Sequence, residues 1–211
     1  IITALRTLHT FPFLAKNDDV STLITQTAKE CIFQYLDMDD HVIRKEAACT
    51  LKVLLPQCRD IQYEKYNISM ALQLILIHGL SDVDSSIRFV IMQLLDHRYD
   101  FYLSQTSTIQ KLFIAMNDEV FSVRQQVVRI ICRLTQYNPV YVLPSYRKIV
   151  TQLLAQLRYG FELPIVEESV ILLANVIETS GPLLAPFTEP ILDILLHKLK
   201  EAVELNYSSL I

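Results

Sequence analysis

Glycine is scarce in this sequence, with three residues among 211. Phosphate-cradling loops and tight hairpin turns both depend on glycine, so the composition disfavours Rossmann and P-loop sites and a sheet built from hairpins. Long apolar runs are also lacking, because none reaches the roughly 18 uncharged residues that a membrane span needs. The chain is nevertheless apolar, with 51% hydrophobic residues and a mean hydropathy of +0.29. These features favour an all-helical protein without a transmembrane segment.

The four cysteines lack the pairing of a disulfide or zinc framework. Cys31, Cys49, Cys58 and Cys132 form no Cys-x-x-Cys motif and lie in helical patterns. We interpret them as reduced apolar residues of a cytosolic or nuclear protein. The chain begins at Ile1 without a signal peptide, and we expect it to be cut from a longer protein.

Patterns typical of catalysis and metal binding are missing as well. The Asp82-x-Asp84-x-Ser86 stretch begins like a calcium loop, but Ile87 and Gln93 occupy the places that require glycine and glutamate. The histidines lack the spacing of zinc ligands. A formal net charge of −4 argues against direct nucleic-acid binding. We therefore predict no catalytic residue, cofactor or metal in this segment.

A turn rich in aspartate, followed by a helix with an arginine near its start, recurs along the chain. Asp82 and Arg88 carry it, Asp118 and Arg124 repeat it, and Arg44 takes the arginine position after the turn at residues 37–40. The arginines are separated by 44 and then 36 residues. A recurrence of this length is typical of an array of helical repeats.

Helical spacing of apolar residues divides the chain into antiparallel helix pairs. The end of a preceding repeat covers about residues 1–13, and the first helix of a further repeat covers 182–201. Four helix pairs lie between them, at about 18–58, 65–98, 105–136 and 139–180, within a single array. The very apolar helix from Ile68 to Leu80 is expected to be covered on more than one side.

Two further expectations concern the last helices. In the helix from Glu162 to Ser180, we expect the buried stripe Val166, Val170, Leu173 and Ile177, with Gly181 left-handed after it. The final helix then repeats the helix after Pro144 with an offset of 42. The four matched pairs are Ile149 with Ile191, Leu153 with Leu195, Leu154 with Leu196, and Leu157 with Leu199.

The recurring residues suggest a structural ladder. The aspartate can accept hydrogen bonds from free N–H groups at the helix start, and the arginine can reach an acidic or carbonyl group of the neighbouring repeat. Such pairs would fix the angle between repeats more than they would add stability. The alternative is that Arg44, Arg88 and Arg124 are ordinary solvated residues. In the fourth unit, alignment of Val166 with Val123 places Glu167 in the arginine position.

This pattern of aspartate, arginine and apolar residues resembles HEAT repeats, which implies an all-α HEAT-repeat α-solenoid. Over about residues 4–200 the sequence also resembles the N-terminal HEAT region of the target-of-rapamycin (TOR) kinases, within the phosphatidylinositol-3-kinase-related group. The matching stretches are Leu80-Ser-Asp-Val-Asp-Ser-Ser-Ile-Arg-Phe-Val, Leu94-Leu-Asp-His-Arg-Tyr-Asp100, Leu112-Phe-Ile-Ala-Met-Asn-Asp-Glu-Val-Phe-Ser-Val-Arg124, Arg133-Leu-Thr-Gln-Tyr-Asn-Pro139 and Leu143-Pro-Ser-Tyr-Arg-Lys148.

The resemblance implies a protein-interaction scaffold within a large Ser/Thr protein kinase that controls growth in response to nutrients. ATP and Mg would then bind in a catalytic domain outside this segment. The implied partners are raptor-like or rictor-like regulatory subunits and other parts of the same kinase chain, in a dimeric complex. The implied location is the cytoplasm, with lysosomal or vacuolar surfaces and the nucleus as further options. The alternative is a HEAT segment of another cytosolic scaffold, of the phosphatase-subunit or transport-receptor type.

Aromatic and basic residues near the turns are candidates for contacts with a partner. Equally, the aromatic residues can pack between neighbouring repeats, and the basic residues can belong to a solvated face. The candidates are Tyr99, Phe101, Tyr102, Phe121, Arg147 and Lys148.

Overall fold

The structure is a computed structural model that describes residues 1–10, 26–27, 32–57 and 64–208. Across these ranges the regular structure is helical, with no β-strand, so the predicted all-α class is confirmed. Two compact units divide the chain, Ile1–Ile130 and Ile131–Ile211. Most of the helix predicted at about residues 20–36 lies outside the described residues, as do Cys31 and Cys58. The grouping into helix pairs stays a prediction.

The helices are numbered here in chain order. The α-helices are α1 (Ile2–Thr10), α2 (His41–Leu54), α3 (Glu64–Leu80), α4 (Ser85–Leu94), α5 (Asp100–Leu103), α6 (Thr106–Ala115), α7 (Phe121–Leu134), α8 (Pro139–Tyr159), α9 (Leu163–Ser180) and α10 (Thr188–Ser208). Short 3₁₀ helices cover Phe33–Asp37, Leu55–Gln57, His97–Tyr99 and Gly181–Phe187.

In the first unit, α2 packs against both α1 and α4, and α3 packs against α4 and α6. The apolar residues of α2 recur at helical spacing, so Ala47, Leu51 and Leu54 share one buried face. Close approach of α3 to α4 depends on Gly79. A Cβ atom at Gly79 would lie 2.6 Å from Cγ1 of Ile91, which is too short for two carbon atoms.

The strongly apolar helix α3 is only partly covered. It begins at Glu64, earlier than the apolar run suggested, and it buries Ile68 and Leu72. Met70, Leu74 and Ile77 lie on another side and are exposed. Contacts of α3 with α4, α6 and the 3₁₀ helix Phe33–Asp37 agree with the expected cover, whereas the side that carries these three residues is uncovered.

Helix α4 ends at Leu94 rather than near residue 98, where the sequence had suggested. The carboxylate of Asp96 accepts a hydrogen bond from the backbone N–H of Arg98 at 2.9 Å. This bond caps a new 3₁₀ turn at residues 97–99. A side-chain acceptor that caps the next turn competes with continuation of the helix, which accounts for the earlier end.

In the second unit, α8 packs against α9 and α10. Pro139 opens α8, where a missing N–H costs little, and Pro144 sits inside the helix on an exposed side. The buried face of α8 includes Tyr146, whose hydroxyl is hydrogen-bonded to the hydroxyl of Ser180 at 2.9 Å. This contact joins the two helices through a polar pair inside the core.

The buried face of α9 differs from the expected one. Val170 and Ile177 are exposed, whereas Ser169 and Val176 are buried beside Leu173. The small hydroxyl residue packs inward because Ser169 donates to the backbone oxygen of Ile165, at 2.7 Å. The prediction of the buried face from apolar residues alone is therefore wrong at Val170 and Ile177.

Gly181 does not adopt the left-handed conformation expected of it. Its φ is −42° and its ψ is −48°, because it begins the 3₁₀ helix Gly181–Phe187.

Helix α10 leaves most of its apolar stripe uncovered. Ile191 is buried, as its counterpart Ile149 is. The remaining residues define what we call the α10 apolar face, and their exposure ranges from 37% to 62%. They are Leu192, Leu195, Leu196, Leu199 and Val203.

Among the described residues, the stretch Leu163–Glu201 holds an apolar window of mean hydropathy 1.5, long enough to cross a membrane, and 28% of that window is buried. Core helices of soluble proteins meet the same criterion, so the window alone does not assign a membrane span.

The two described cysteines are free thiols. Cys132 is buried, and this burial raises the pKa of its thiol to about 11. Cys49 is half-buried, and desolvation raises its pKa as well. Both side chains act as small apolar residues.

Candidate functional site

In the first unit, aspartates in the turns cap the N-terminus of the helix that follows. The carboxylate of Asp40 accepts from the backbone N–H of Val42, and Asp84 accepts from that of Ser86, each at 2.8 Å. Both aspartates are N-cap residues, of α2 and α4 respectively, and they satisfy donors that the helix cannot. The hydrogen bond from the backbone of Ser86 lowers the pKa of Asp84.

Arg44 joins the first of these turns to the next one. Its Nε donates to Oδ2 of Asp82 at 2.8 Å and its Nη2 donates to Oδ1 at 3.1 Å. Its Nη1 donates to the backbone oxygens of Met38 and Asp39, at 2.7 and 2.8 Å. One guanidinium thus binds a carboxylate of the following turn and two carbonyls of its own turn.

Arg88 repeats this geometry at the next turn along the chain. Its Nε and Nη2 donate to the carboxylate of Asp118 at 2.7 and 2.9 Å, and its Nη2 also lies 3.2 Å from Oε1 of Glu119. Its Nη1 donates to the backbone oxygens of Asp82 and Val83, at 2.8 and 3.1 Å. We call each such arrangement a joint.

Asp82 connects the two joints, because its carboxylate receives Arg44 while its carbonyl receives Arg88. The charged side chains are largely buried, with exposures of 15% and 4% for Arg44 and Asp82, and of 8% each for Arg88 and Asp118. Ion pairs in such surroundings gain little net stability but tolerate few alternative geometries.

Burial opposes the ionisation of Asp118. Hydrogen bonds from Arg88 and from the backbone N–H of Val120 outweigh this effect, so the pKa of Asp118 lies below its ordinary value. The hydrogen bond to Asp118 correspondingly raises the pKa of Arg88. The joint therefore remains a charged pair throughout the neutral pH range.

Arg124 keeps the carbonyl half of the arrangement. Its Nη1 donates to the backbone oxygens of Asp118 and Glu119, at 2.7 and 3.0 Å. Its guanidinium carbon also lies 5.7 Å from the ring centre of Phe121, within the range of a cation–π contact. Phe121, a predicted partner contact, is thereby engaged within its own helix.

The fourth turn is built differently. Arg44, Arg88 and Arg124 are each the fourth residue of their helix, and the fourth residue of α9 is Val166. The predicted equivalence of Glu167 is therefore off by one, and Glu167 is exposed. A Cβ at Gly160 would lie 3.0 Å from Cγ2 of Val166 and would also clash with the backbone oxygen of Gln156. Apolar packing against a glycine therefore replaces the ion pair here.

The other predicted contact residues divide by exposure. Tyr99 is only 5% exposed and belongs to the core, so of its two expected roles burial favours packing over contact with a partner. Phe101 is 69% exposed, and its ring meets that of Tyr102 edge to face at 5.6 Å. Arg147 and Lys148 are exposed on α8.

The sequence predicted an acidic or carbonyl acceptor in the neighbouring repeat, but the carbonyl acceptors lie five and six residues before each arginine, in its own turn. Reasoning from the sequence missed the pair formed by Nη2 of Arg6 and Oε1 of Glu46 at 2.7 Å, which links α1 to α2. Within the described ranges, no group of three or more histidine, cysteine or acidic residues could hold a metal ion.

Comparison with known proteins identifies relatives over nearly the whole chain. A Ser/Thr protein kinase tor1 from Schizosaccharomyces pombe is 36% identical over 202 residues, 94% of this chain. The kinase TOR2 from Saccharomyces cerevisiae is 33% identical over 85% of the chain, and the Drosophila melanogaster kinase mTor is 28% identical over 95%. The chain spans only 7–8% of the length of these relatives. No protein-family model matches it.

Proposed function

This chain is a segment of a TOR Ser/Thr protein kinase, and on that premise we propose that it is a non-catalytic scaffold that helps the parent kinase to assemble. Its regulatory partners would be raptor-like or rictor-like subunits, and the dimeric parent complex would control growth in response to nutrients. The alternative of a phosphatase subunit or a transport receptor is excluded by this family membership.

The α10 apolar face is the observation that carries the proposal. Its residues recur at spacings of three and four, as on a helix that packs against another helix. Their counterparts in α8 (Leu153, Leu154 and Leu157) are buried, and α8 packs against α9. By the same repeat logic, a helix elsewhere in the parent kinase chain would cover α10.

The joints support the scaffold role from a second direction. Two successive bidentate arginine–aspartate pairs hold the turns of the first unit in one register. A segment that must present fixed surfaces to subunits benefits from such geometric specificity, and HEAT-type arrays supply extended binding surfaces of this kind. Catalysis would belong to the kinase domain outside the segment, where ATP and Mg bind.

Substitution of the α10 apolar face tests the proposal in the full-length parent kinase. Leu196→Asp combined with Leu199→Asp is expected to disrupt the packing of α10 against the covering helix of the parent chain. The fraction of kinase that retains its raptor-like subunit, measured by native mass spectrometry, should fall as a consequence. The matched control combines Glu189→Lys and Lys200→Asp, two exposed positions on the same helix. Full subunit retention by the leucine variant would contradict the proposal.

A direct assay tests the non-catalytic assignment. The 211-residue chain, incubated with radiolabelled ATP, Mg and a generic peptide substrate, is expected to transfer no phosphate. Phosphotransfer above that of a heat-denatured control would overturn the assignment.

A further inference from the structure

A shallow, open cleft lies beside the first joint. It measures about 560 Å³ and lies between the turn at residues 37–40 and the C-terminal end of α3. Three apolar side chains on its walls are exposed, Met38 by 40%, Ile77 by 48% and Val83 by 90%. An apolar surface beside a recessed opening is typical of a docking site for a side chain of another molecule.

The charge of the cleft is acidic. Its lining includes three aspartates and one arginine, which gives a formal net charge of −2 with His78 neutral. Arg44 and Asp82 bind each other at the floor, so the charges that remain available are Asp37 and Asp39. The carboxylate of Asp37 is 80% exposed and lies 3.5 Å from Nδ1 of His78, and Asp39 is exposed as well.

We infer that this cleft binds a short segment of another protein in the assembled kinase, in which lysine or arginine alternates with large aliphatic side chains. The cations would face Asp37 and Asp39, and the aliphatic groups would cover Met38, Ile77 and Val83. A wholly acidic segment would meet like charge, and a polar basic segment would leave the apolar wall in water. Charge complementarity combined with apolar contact is what selects one class of partner.

The first joint fixes the backbone at the rim of this cleft, while its charges stay paired with each other. Nη1 of Arg44 holds the backbone oxygens of Met38 and Asp39, so the same guanidinium that connects two turns also fixes the rim. Preorganised rims lose less conformational freedom when a partner binds. This inference rests on the proposed scaffold function and specifies the partner class for one surface of it.

The test uses the full-length parent kinase and a fluorescein-labelled probe peptide, Lys-Leu-Arg-Leu-Lys-Leu, with one leucine replaced by photo-leucine. Cross-links are expected in the segments that carry Met38, Ile77 or Val83. The pair Asp37→Asn and Asp39→Asn should weaken binding on the order of fivefold, since exposed charge pairs contribute modestly. The pair Ile77→Ser and Val83→Ser should weaken it similarly.

Matched controls keep the interpretation specific. Glu162→Gln with Glu189→Gln removes exposed carboxylates elsewhere, and Val140→Ser removes another highly exposed aliphatic side chain. Both controls should bind the probe like the unaltered kinase. A peptide with glutamate in place of lysine and arginine, and one with glycine in place of leucine, should not label the cleft.

Several outcomes would overturn the inference. If the peptide does not label the cleft, the cleft is closed or filled by the kinase chain itself. If the glycine peptide labels the cleft equally, binding depends on charge alone and the apolar contacts do not contribute. Kinase self-association that depends on Asp37 and Asp39, without peptide binding, would assign the cleft to a second copy. Subunit retention measured on the same samples separates each of these failures from failure of the scaffold proposal.

Discussion

Replacement of Arg88 by alanine is the most informative perturbation of the joints. The substitution removes both hydrogen bonds to the carboxylate of Asp118 and both bonds to the backbone oxygens of Asp82 and Val83. The carboxylate of Asp118, 8% exposed, would be left without its countercharge. Removal of one partner from a buried ion pair destabilises proteins by about 3–5 kcal/mol. For a chain of this length, that loss lowers the melting temperature by about 6–20 °C.

Urea unfolding followed by circular dichroism, together with calorimetry, measures this loss. Arg158→Ala is the matched control, because Arg158 is 55% exposed and Nη2 lies 3.5 Å from Oδ2 of Asp193, so its removal should cost less than about 1 kcal/mol. Combined replacement by Arg88→Met and Asp118→Leu should recover part of the lost stability, since an apolar pair has no charge to desolvate. The recovery is incomplete because the backbone oxygens of Asp82 and Val83 and the N–H of Val120 lose these side-chain partners. If Arg88→Ala proves as mild as Arg158→Ala, the joint is not a structural element.

Three further predictions follow from particular residues. Because the pKa of Asp118 is depressed in the folded chain, the ionised carboxylate contributes its full stability above the unfolded-state pKa of about 3.9. This contribution is lost as the pH falls through the folded-state pKa. The urea midpoint of unfolding should therefore decline below about pH 4, and it should decline less steeply for Asp118→Asn. Gly79→Ala should destabilise the chain by about 1–3 kcal/mol, because the added methyl group clashes with Ile91. Gly181→Ala should be neutral or stabilising by up to about 1 kcal/mol, because Gly181 has a negative φ and open space around it. Equal effects of the two substitutions in urea unfolding would contradict this expectation. Cys132, buried and with a raised pKa of about 11, should resist iodoacetamide until the chain unfolds, whereas Cys49 should react slowly in the native state; rapid native labelling of Cys132, located by mass spectrometry, would contradict its burial.

The recurrence of aspartate and arginine made the joints visible in the sequence. The spacing of Arg44, Arg88 and Arg124 predicted that they occupy equivalent positions, since a helical repeat places equivalent residues at equivalent turns. A carbonyl acceptor was expected in the neighbouring repeat, whereas the carbonyls that each arginine binds belong to its own turn. Every residue has a backbone oxygen, so the sequence pattern does not mark which of them accepts. The all-α class also followed from apolar periodicity and the scarcity of glycine.

The departures from the sequence-based expectations have local physical causes. The carboxylate of Asp96 starts a new turn and ends α4 early, a competition that apolar periodicity does not register. The buried face of α9 includes Ser169, whose hydroxyl finds a backbone acceptor, so hydrophobicity alone oriented that helix wrongly. Tyr99 is aromatic and follows a helix end, yet its burial depends on tertiary packing that one sequence does not reveal.

Hydrogen exchange compared between the 211-residue chain and the full-length parent kinase tests the scaffold role most directly. If another part of the parent covers the α10 apolar face, amides of α10 should exchange at least about tenfold more slowly in the parent, corresponding to about 1.4 kcal/mol of added protection. Amides of α2 and α4, whose apolar faces are already buried, should exchange at similar rates in both. Equal exchange of α10 in the two proteins would contradict the account.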